Sequence, residues 1–346
     1  MKKLRIGMVG SGFIATQKHL PAFLSMRKLA DVVAVCDAEH SRGQEVCSRF
    51  DIPKAYVDLH EMLEVERLDM VDVCTPPRTH AGIVVDSLKM GVHVLVEKPM
   101  ALNVSECDEI IEAAQENERQ VCVAHSDLFY PSFQKARSLV ENGDIGQFRG
   151  MRIFLSTPID YMMSNPDHWA HKLPGGVVGE TGPHIVYMTL PFISPIESVN
   201  VTARKVLHEY AWSPYDDYRI ELTGENATSS VTLLYATNQW AAEVELWGTE
   251  GSVKADLESQ SLIRYERPNL TAFPVGMSAI SQAGQFLGSV VRSGVKVATR
   301  RFPGTHGLLI RQFLESIVQG TDSPVTSAEG REAVRVMNMI AQQLQE

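Results

Sequence analysis

No uninterrupted apolar run in this sequence approaches the length of a bilayer span. Nor does the N-terminus read as a basic-then-apolar leader, because Met1-Lys2-Lys3 runs straight into the first apolar segment. A basic excess is absent too. The 32 Lys and Arg against 42 Asp and Glu leave a formal net charge of −10. That argues against nucleic acid as the main partner, since non-specific phosphate binding needs clustered Lys and Arg. Cysteine is scarce: five, an odd number, with no CxxC spacing. Cys36, Cys74 and Cys122 fall in predicted strands, where they act as small hydrophobes. The pattern gives no support for disulfides or a thiolate metal site, so no metal is expected, and it suits a reducing cytoplasm. What remains is an ordinary globular balance, 44% hydrophobic and 21% charged, in 346 residues that should make two domains.

The stretch that organises the chain lies near its start. Leu4, Ile6, Met8 and Val9 read as a short buried strand, and Gly10-x-Gly12-x-x-Ala15 then turns the chain into a helix from about Ile14 to Leu24. Gly10 permits a tight turn. Gly12 lets a pyrophosphate approach the main chain, and Ala15 lets helix and strand pack closely. The anion would rest on unpaired N–H groups at the positive end of the helix, around Phe13 and Ile14. A glycine-rich corner alone is also compatible with a plain turn that binds nothing. Context comes from Val32-Val33-Ala34-Val35-Cys36, an apolar run that suits a buried parallel strand and ends in Asp37. Asp37 stands about 20 residues beyond the glycine motif, where an acid hydrogen-bonds the adenosine ribose. An acid there repels a 2′-phosphate and favours NAD over NADP, although Arg42 lies close enough to receive such a phosphate. Capping of the helix that starts near His40 is the other use of Asp37.

Strand and helix patterns then alternate to Ala124, with strands at Lys54–Tyr56, Met70–Cys74, Val92–Val96 and Val121–Ala124. Asn103 or Ser105 caps the helix that ends near Asn117. The alternation calls for a doubly wound parallel sheet in residues 1–125. Beyond it the pattern becomes a helix at Pro131–Asn142 and longer strands of two-residue alternation: Phe148–Ser156, Ser198–Val206, Tyr218–Leu222, Ser229–Tyr235, Ala241–Trp247, Gly251–Ala255 and Ser261–Tyr265. Helices at about Gly307–Gln319 and Ala328–Leu344 close the chain. Residues 126–346 therefore read as an α+β domain, a large, mostly antiparallel sheet with helices on one face. The fold class is α/β plus α+β, and the open face of the second sheet would seek a partner subunit.

One segment fits less well. Met277, Ile280, Ala283, Leu287, Val290 and Val291 follow helical spacing, with Arg292, Lys296, Arg300 and Arg301 after them. A basic amphipathic helix can lie on a membrane surface. The small-residue-rich apolar face without Trp favours instead an insertion packed on its own protein or on a neighbouring subunit.

Two places can carry chemistry. Lys98 directly follows a buried strand and precedes Pro99, so its ammonium belongs at the carboxyl edge of the sheet, where ligands bind. Burial and a neighbouring nicotinamide cation would lower its pKa towards neutrality, and Glu97 could pair with it or contact the cofactor. A surface lysine after a strand is the plainer reading. The second place is Gly175-Gly176 leading to Glu180-Thr181-Gly182-Pro183-His184 and Tyr187. Glu180, His184 and Tyr187 are spaced four and three apart and so share one side of a helix, for which Thr181 is a cap candidate. A histidine oriented by a carboxylate serves as a general base near working pH. A structural histidine at a helix start is the alternative. His125, Tyr161, Trp169 and Lys172 are weaker candidates for substrate contacts.

Gly10-x-Gly12-x-x-Ala15-x-x-x-His19, Thr75-Pro76 with His80, Glu97-Lys98-Pro99, and Gly175-Gly176 leading to Gly182-x-His184 together resemble the Gfo/Idh/MocA oxidoreductases, over the whole chain and in the right order. The resemblance implies a Rossmann domain plus a mixed-sheet domain, dimers or tetramers through the open sheet face, and NAD(P)-linked chemistry on a sugar-like hydroxyl. It makes Lys98 and His184 the catalytic pair, with Glu97, Thr75, Pro76 and His80 at the nicotinamide site. Two departures bear on the substrate: the family commonly has Asp where this chain has Glu180, and a second acid where it has Tyr187.

The mechanism expected on these grounds is reversible hydride transfer between nicotinamide and a carbinol carbon of a sugar, cyclitol or sugar nucleotide. His184 takes the hydroxyl proton, Lys98 steadies the alkoxide, Glu180 orients His184, and Tyr187 contacts the substrate. A non-catalytic NAD-binding sensor on the same fold is the rival. A glycosidase using transient oxidation ranks last, because no general acid for a leaving group is evident.

Overall fold

The computed structural model describes residues 3–266, 269–298 and 304–345. Of the basic residues singled out after the amphipathic stretch, Arg300 and Arg301 lie outside the described residues, as do the side chains of Arg292 and Lys296.

Six short strands build the first sheet: β1 (Leu4–Val9), β2 (Ala30–Cys36), β3 (Lys54–Tyr56), β4 (Met70–Val73), β5 (His93–Val96) and β6 (Val121–Val123). All pairings are parallel, in the order β3-β2-β1-β4-β5-β6. β4 is buried along its whole length and β5 at all but its first residue, which accounts for their apolar character, interrupted in β4 only by Asp72. The order reverses between β1 and β4, and at such a switch point the loops leaving the carboxyl ends part to form a crevice. Gly10, Thr75 and Glu97-Lys98 follow β1, β4 and β5 at that edge.

The helix expected over Ile14–Leu24 is divided. Residues Ala15–His19 form a wide π-type turn before a short α-helix, Leu20–Ser25. Pro21 accounts for the break, since it has no N–H to continue an α-helical ladder back into the preceding turn. The following Val104–Glu116 helix is capped by Asn103, whose side chain accepts the Glu106 N–H at 2.9 Å while Glu106 reaches back to the Leu102 N–H at 3.0 Å. Asp37 caps nothing: the His40–Phe50 helix starts after Glu39 without a side-chain cap.

The chain separates into two compact units, Met1–Ser126 with Pro303–Arg335, and Asp127–Phe302 with Val336–Glu346. The second domain therefore does not run unbroken to the C-terminus, as the 126–346 reading has it. The reason lies in the tail's apolar face. The Gly304–Gln319 helix buries Leu309, Ile310, Phe313 and Leu314. Its unit is tied further by Ser316 Oγ to Gln120 Oε1 at 3.2 Å and by the Val123 N–H to Val325 O at 3.3 Å. That last bond covers the open edge of β6.

The second unit holds a seven-stranded sheet of β7 (Phe148–Pro158), β8 (Ser198–Arg204), β9 (Asp217–Thr223), β10 (Thr228–Thr237), β11 (Ala241–Gly248), β12 (Ser252–Asp256) and β13 (Ser261–Tyr265). Their order is β13-β12-β11-β7-β10-β9-β8, antiparallel except for the parallel pair β7–β10. Alternation places Tyr218, Ile220, Leu222, Val231, Leu233 and Tyr235 inward, all almost fully out of water. Aliphatic side chains so placed contribute roughly 1.5–3 kcal/mol each. The amphipathic stretch is a 27-residue helix, Ala272–Ala298, and no helix among the described residues is long and apolar enough to cross a membrane.

Candidate active site

In the first unit the glycine-rich turn is built as its residue types require. Gly10 sits at φ +86°, and a Cβ there would meet Cys74 O at 2.8 Å, so only glycine fits between β1 and the loop after β4. Gly12 is different: a Cβ there would meet nothing within 4 Å. Open space beside the backbone at the start of the helical segment is what an approaching pyrophosphate needs. Phe13 is exposed and Ile14 half-buried at the same rim. Asp37, buried at the end of β2, accepts the Ser11 N–H at 2.9 Å and the Ser11 hydroxyl at 2.6 Å on Oδ2, and the Glu39 N–H at 2.9 Å on Oδ1. Burial would raise its pKa, but these bonds, chiefly from Ser11, hold it below the ordinary value and keep the carboxylate charged. Arg42 lies 4.0 Å from Asp37 Oδ1 and is held by Glu39 at 2.5 Å. The residues present therefore fit an NAD adenosine and pyrophosphate.

Two of the residues assigned to the nicotinamide site face inward instead. His80 is fully buried, and its ring nitrogens lie 2.9 Å from Pro99 O and 2.8 Å from Thr75 O. Burial holds its pKa below the ordinary value against both carbonyls and the nearby Glu97. It ties the loop after β4 to the loop after β5 and so positions both. Thr75 is half-buried and bonded to the Thr79 hydroxyl at 2.8 Å, with Pro76 next to it at the rim.

Glu97 is the second. Its Oε1 lies 2.9 Å from His19 Nε2 and 3.7 Å from His306 Nε2, and its Oε2 accepts the Lys98 N–H at 3.2 Å. His19 Nδ1 in turn lies 2.8 Å from Asp72 Oδ2, in the middle of β4. Burial alone would push the His19 pKa down, but the Asp72 carboxylate overcomes it and the pKa stands well above 6.5. Burial would push Glu97 up, but the hydrogen bond from His19 and the nearby His306 hold it well below 4.5. An imidazolium clamped between two carboxylates results. Glu97 thus faces the interior and holds the backbone of half-buried Lys98. Asp72, an acid inside an otherwise apolar strand, was the sequence signal for this cluster. His306 had none. The Cys74 thiol beside it is pushed up to about 12 by burial and neighbouring carboxylates, which leaves it inert.

The second unit presents a dyad. Gly179 and Gly182 let the Val178–Thr189 helix sit close against its surroundings, since added Cβ atoms would fall 2.7 Å from Pro174 O and 2.6 Å from Met337 Cε. His184 projects from this helix, and its Nδ1 lies 2.6 Å from Asp127 Oδ2 and 2.7 Å from the Tyr187 hydroxyl. The Asp127 N–H also donates to that hydroxyl, at 3.3 Å. Among the described residues no partner meets His184 Nε2, and the side chain is about one-fifth exposed, at 21%. The carboxylate on the ring is therefore Asp127, from the turn Ser126–Phe129, and not Glu180. Glu180 acts on His168, raising a pKa that burial lowers. Thr181 caps nothing, because the helix begins at Val178, and its hydroxyl pairs with that of Tyr235.

Tyr187 is 1% exposed, which makes it a prop behind the imidazole rather than a substrate contact. His125, at 2%, is likewise buried. Tyr161, Trp169 and Lys172 are exposed in the second unit. Tyr161 meets Trp240 edge-on at 5.0 Å, and Trp169 stacks on His168 at 5.6 Å. Trp240 and Asp127 are the functional candidates that spacing along one helix could not reveal.

Comparison with known proteins covers both units. A model described as oxidoreductase family, NAD-binding Rossmann fold, matches residues 4–125, and one for the GFO/IDH/MocA C-terminal domain matches residues 133–254. The chain is 33% identical to myo-inositol 2-dehydrogenase of Thermotoga maritima over 46% of its own length and 48% of that protein. It is 26% identical to trans-1,2-dihydrobenzene-1,2-diol dehydrogenase of Xenopus laevis over 72% of each. The crystal structure of a probable dehydrogenase from Thermotoga maritima shares the fold, with a TM-score of 0.79 over 99% of this chain and 97% of that one at 22% identity.

Proposed function

The chain belongs to the Gfo/Idh/MocA oxidoreductase family, with an NAD-binding Rossmann domain, and from that premise we propose that it oxidises or reduces a secondary carbinol of a sugar, cyclitol or sugar nucleotide, with His184 as the base. Bound NAD supplies the hydride acceptor at its nicotinamide ring. Gly10, Gly12 and the N–H groups at Phe13 and Ile14 would hold the pyrophosphate, and Asp37 the ribose hydroxyls.

The observation that carries the proposal is the Asp127–His184 contact at 2.6 Å. A carboxylate at Nδ1 keeps the proton on that nitrogen and leaves the lone pair on Nε2. Nε2 then accepts the substrate hydroxyl proton as hydride leaves the carbon, and Asp127 steadies the imidazolium that forms. Lys98 is the second catalytic group of this reading, its ammonium stabilising the oxygen as it loses its proton. Trp169 or Tyr161 would lie against an apolar sugar face.

Incubation with NAD and a panel of inositols, pyranosides and sugar nucleotides tests it. NADH absorbance should appear with at least one member, and His184→Asn should abolish it while NAD binding persists. Turnover near wild type in His184→Asn would remove the base assignment, and silence across the panel would favour an NAD-binding sensor.

A further inference from the structure

The Ala272–Ala298 helix is packed inside out. Toward its own protein it turns mainly Ser278, Gln282, Gln285 and Ser289, with Pro274 and Val275 at its first turn, all buried or half-buried. Gln285 fastens this side to edge strand β13, accepting the Arg264 N–H at 2.8 Å and donating to Arg264 O at 3.1 Å. Away from the protein it turns Phe273 (78% exposed), Met277 (52%), Ile280 (69%), Leu287 (64%) and Val291 (65%). Surface helices of globular proteins carry the opposite arrangement, apolar side inward. Packing on its own protein, one of the two arrangements the sequence favours, is thus not what covers the apolar face.

We propose that this face lies on an anionic lipid surface. Width is the first reason. At roughly 100° per residue, the exposed arc runs from Gly288 and Met277 through Phe273, Ile280 and Leu287 to Val290 and Phe286, about 200° of the helix circumference. One partner helix buries a seam about half as wide, whereas a bilayer takes up the whole half-cylinder to a depth of about 5–10 Å. Charge is the second reason. No acidic residue occurs between Glu266 and Glu315, although the chain as a whole carries 42 acids and a net charge of −10. No charged side chain of either sign occurs from Asn269 to Val291, and the sequence then supplies Arg292, Lys296, Arg300 and Arg301. An uncharged apolar half-cylinder followed by an acid-free basic run complements anionic headgroups above an acyl interior. Leu270, at 85% exposed just ahead of the helix, extends the same apolar surface. The helix lies along the membrane and does not span it.

Flotation of the full-length protein with vesicles tests the proposal. The protein should float with vesicles of phosphatidylglycerol and phosphatidylcholine in equal parts, poorly with phosphatidylcholine alone, and less at high salt. The double substitution Ile280→Asp, Leu287→Asp alters only exposed positions and should reduce flotation at least about tenfold with the thermal melt and NAD binding unchanged. Phe273→Trp should gain emission that brominated lipids quench. Equal flotation of the double variant, or no flotation of the wild type, overturns the proposal. So does a vesicle-free oligomer that the double variant splits into monomers, which would give the face to a second copy of the chain. Should the double variant fail to fold, an unquenched Phe273→Trp signal decides against the lipid.

Discussion

Asp127 Oδ2 stands 2.6 Å from His184 Nδ1, and the Tyr187 hydroxyl stands 2.7 Å from the same nitrogen. Two oxygens converge on one side of the imidazole, and the other side is left for a reacting group. The arrangement assigns the ring proton to Nδ1 and the basic lone pair to Nε2.

Asp127→Asn should therefore lower kcat by about 10²–10⁴-fold, because an amide can present its NH₂ to Nδ1 and stabilise the wrong tautomer. Glu180→Gln should cost less than about fivefold, since its carboxylate is not the one on the ring. Steady-state kinetics with the panel's best substrate separates the two. The reverse ranking would restore Glu180 as the orienting acid.

Tyr187→Phe keeps the buried ring and removes only the hydroxyl. About 1 kcal/mol of stability should go with it, and kcat should fall severalfold with KM unchanged. A large rise in KM with kcat intact would mean that the phenol touches substrate after all, despite its 1% exposure.

The order of elements was legible from periodicity: every strand read in the second unit lies within three residues of its observed bounds, and Ser261–Tyr265 coincides with them. His184, the proposed base, was legible too, because a glycine-rich approach precedes it. Its carboxylate was not. Asp127 lies 57 positions away, and only the fold brings the turn after β6 to the Val178–Thr189 helix. Spacing on one helix pointed to Glu180, a local answer to a question settled by tertiary packing. That Glu97 and His80 face the interior was not legible, because sequence does not show that His19 and two backbone carbonyls meet them there. The return of Pro303–Arg335 to the first unit had no sequence signal beyond an apolar helix face, which any core would satisfy.

The buried cluster predicts a pH window. His19 is raised above its unfolded value of 6.5, so its stabilisation is complete below 6.5, declines as pH climbs and is gone past the folded pKa. Glu97 is lowered below 4.5, so its stabilisation is complete above 4.5 and is lost as pH falls through the folded pKa. Together they contribute most between 4.5 and 6.5. His19→Gln leaves Asp72 and Glu97 without their cation and should cost about 3–5 kcal/mol in that window. In urea unfolding the gap to wild type should narrow as pH rises above 6.5. A gap independent of pH would mean that His19 is neutral in the native state.

Asp37→Asn tests the adenosine end. The carboxylate's two oxygens already serve Ser11 and Glu39, and an amide offers one acceptor where two are needed. NAD affinity should weaken about tenfold, equivalent to ~1.4 kcal/mol, and the preference over NADP should shrink with the lost negative charge. Isothermal titration with each dinucleotide measures both, and an unchanged NADP:NAD ratio would show that Asp37 does not face the 2′ position.

Gly12→Ala separates a cofactor cradle from a plain turn. A Cβ at Gly12 meets nothing within 4 Å, whereas at Gly10 it would strike Cys74 O at 2.8 Å with φ at +86°. Alanine at position 12 is thus free to enter the folded protein, and thermal melting without NAD should move by less than about 0.5 kcal/mol. If the open space is there for a pyrophosphate, NAD affinity should fall at least about tenfold in the same variant. Loss of affinity with intact stability identifies the gap as a binding feature. Intact affinity would reduce Gly12 to a turn residue and move the phosphate elsewhere along the edge of the sheet.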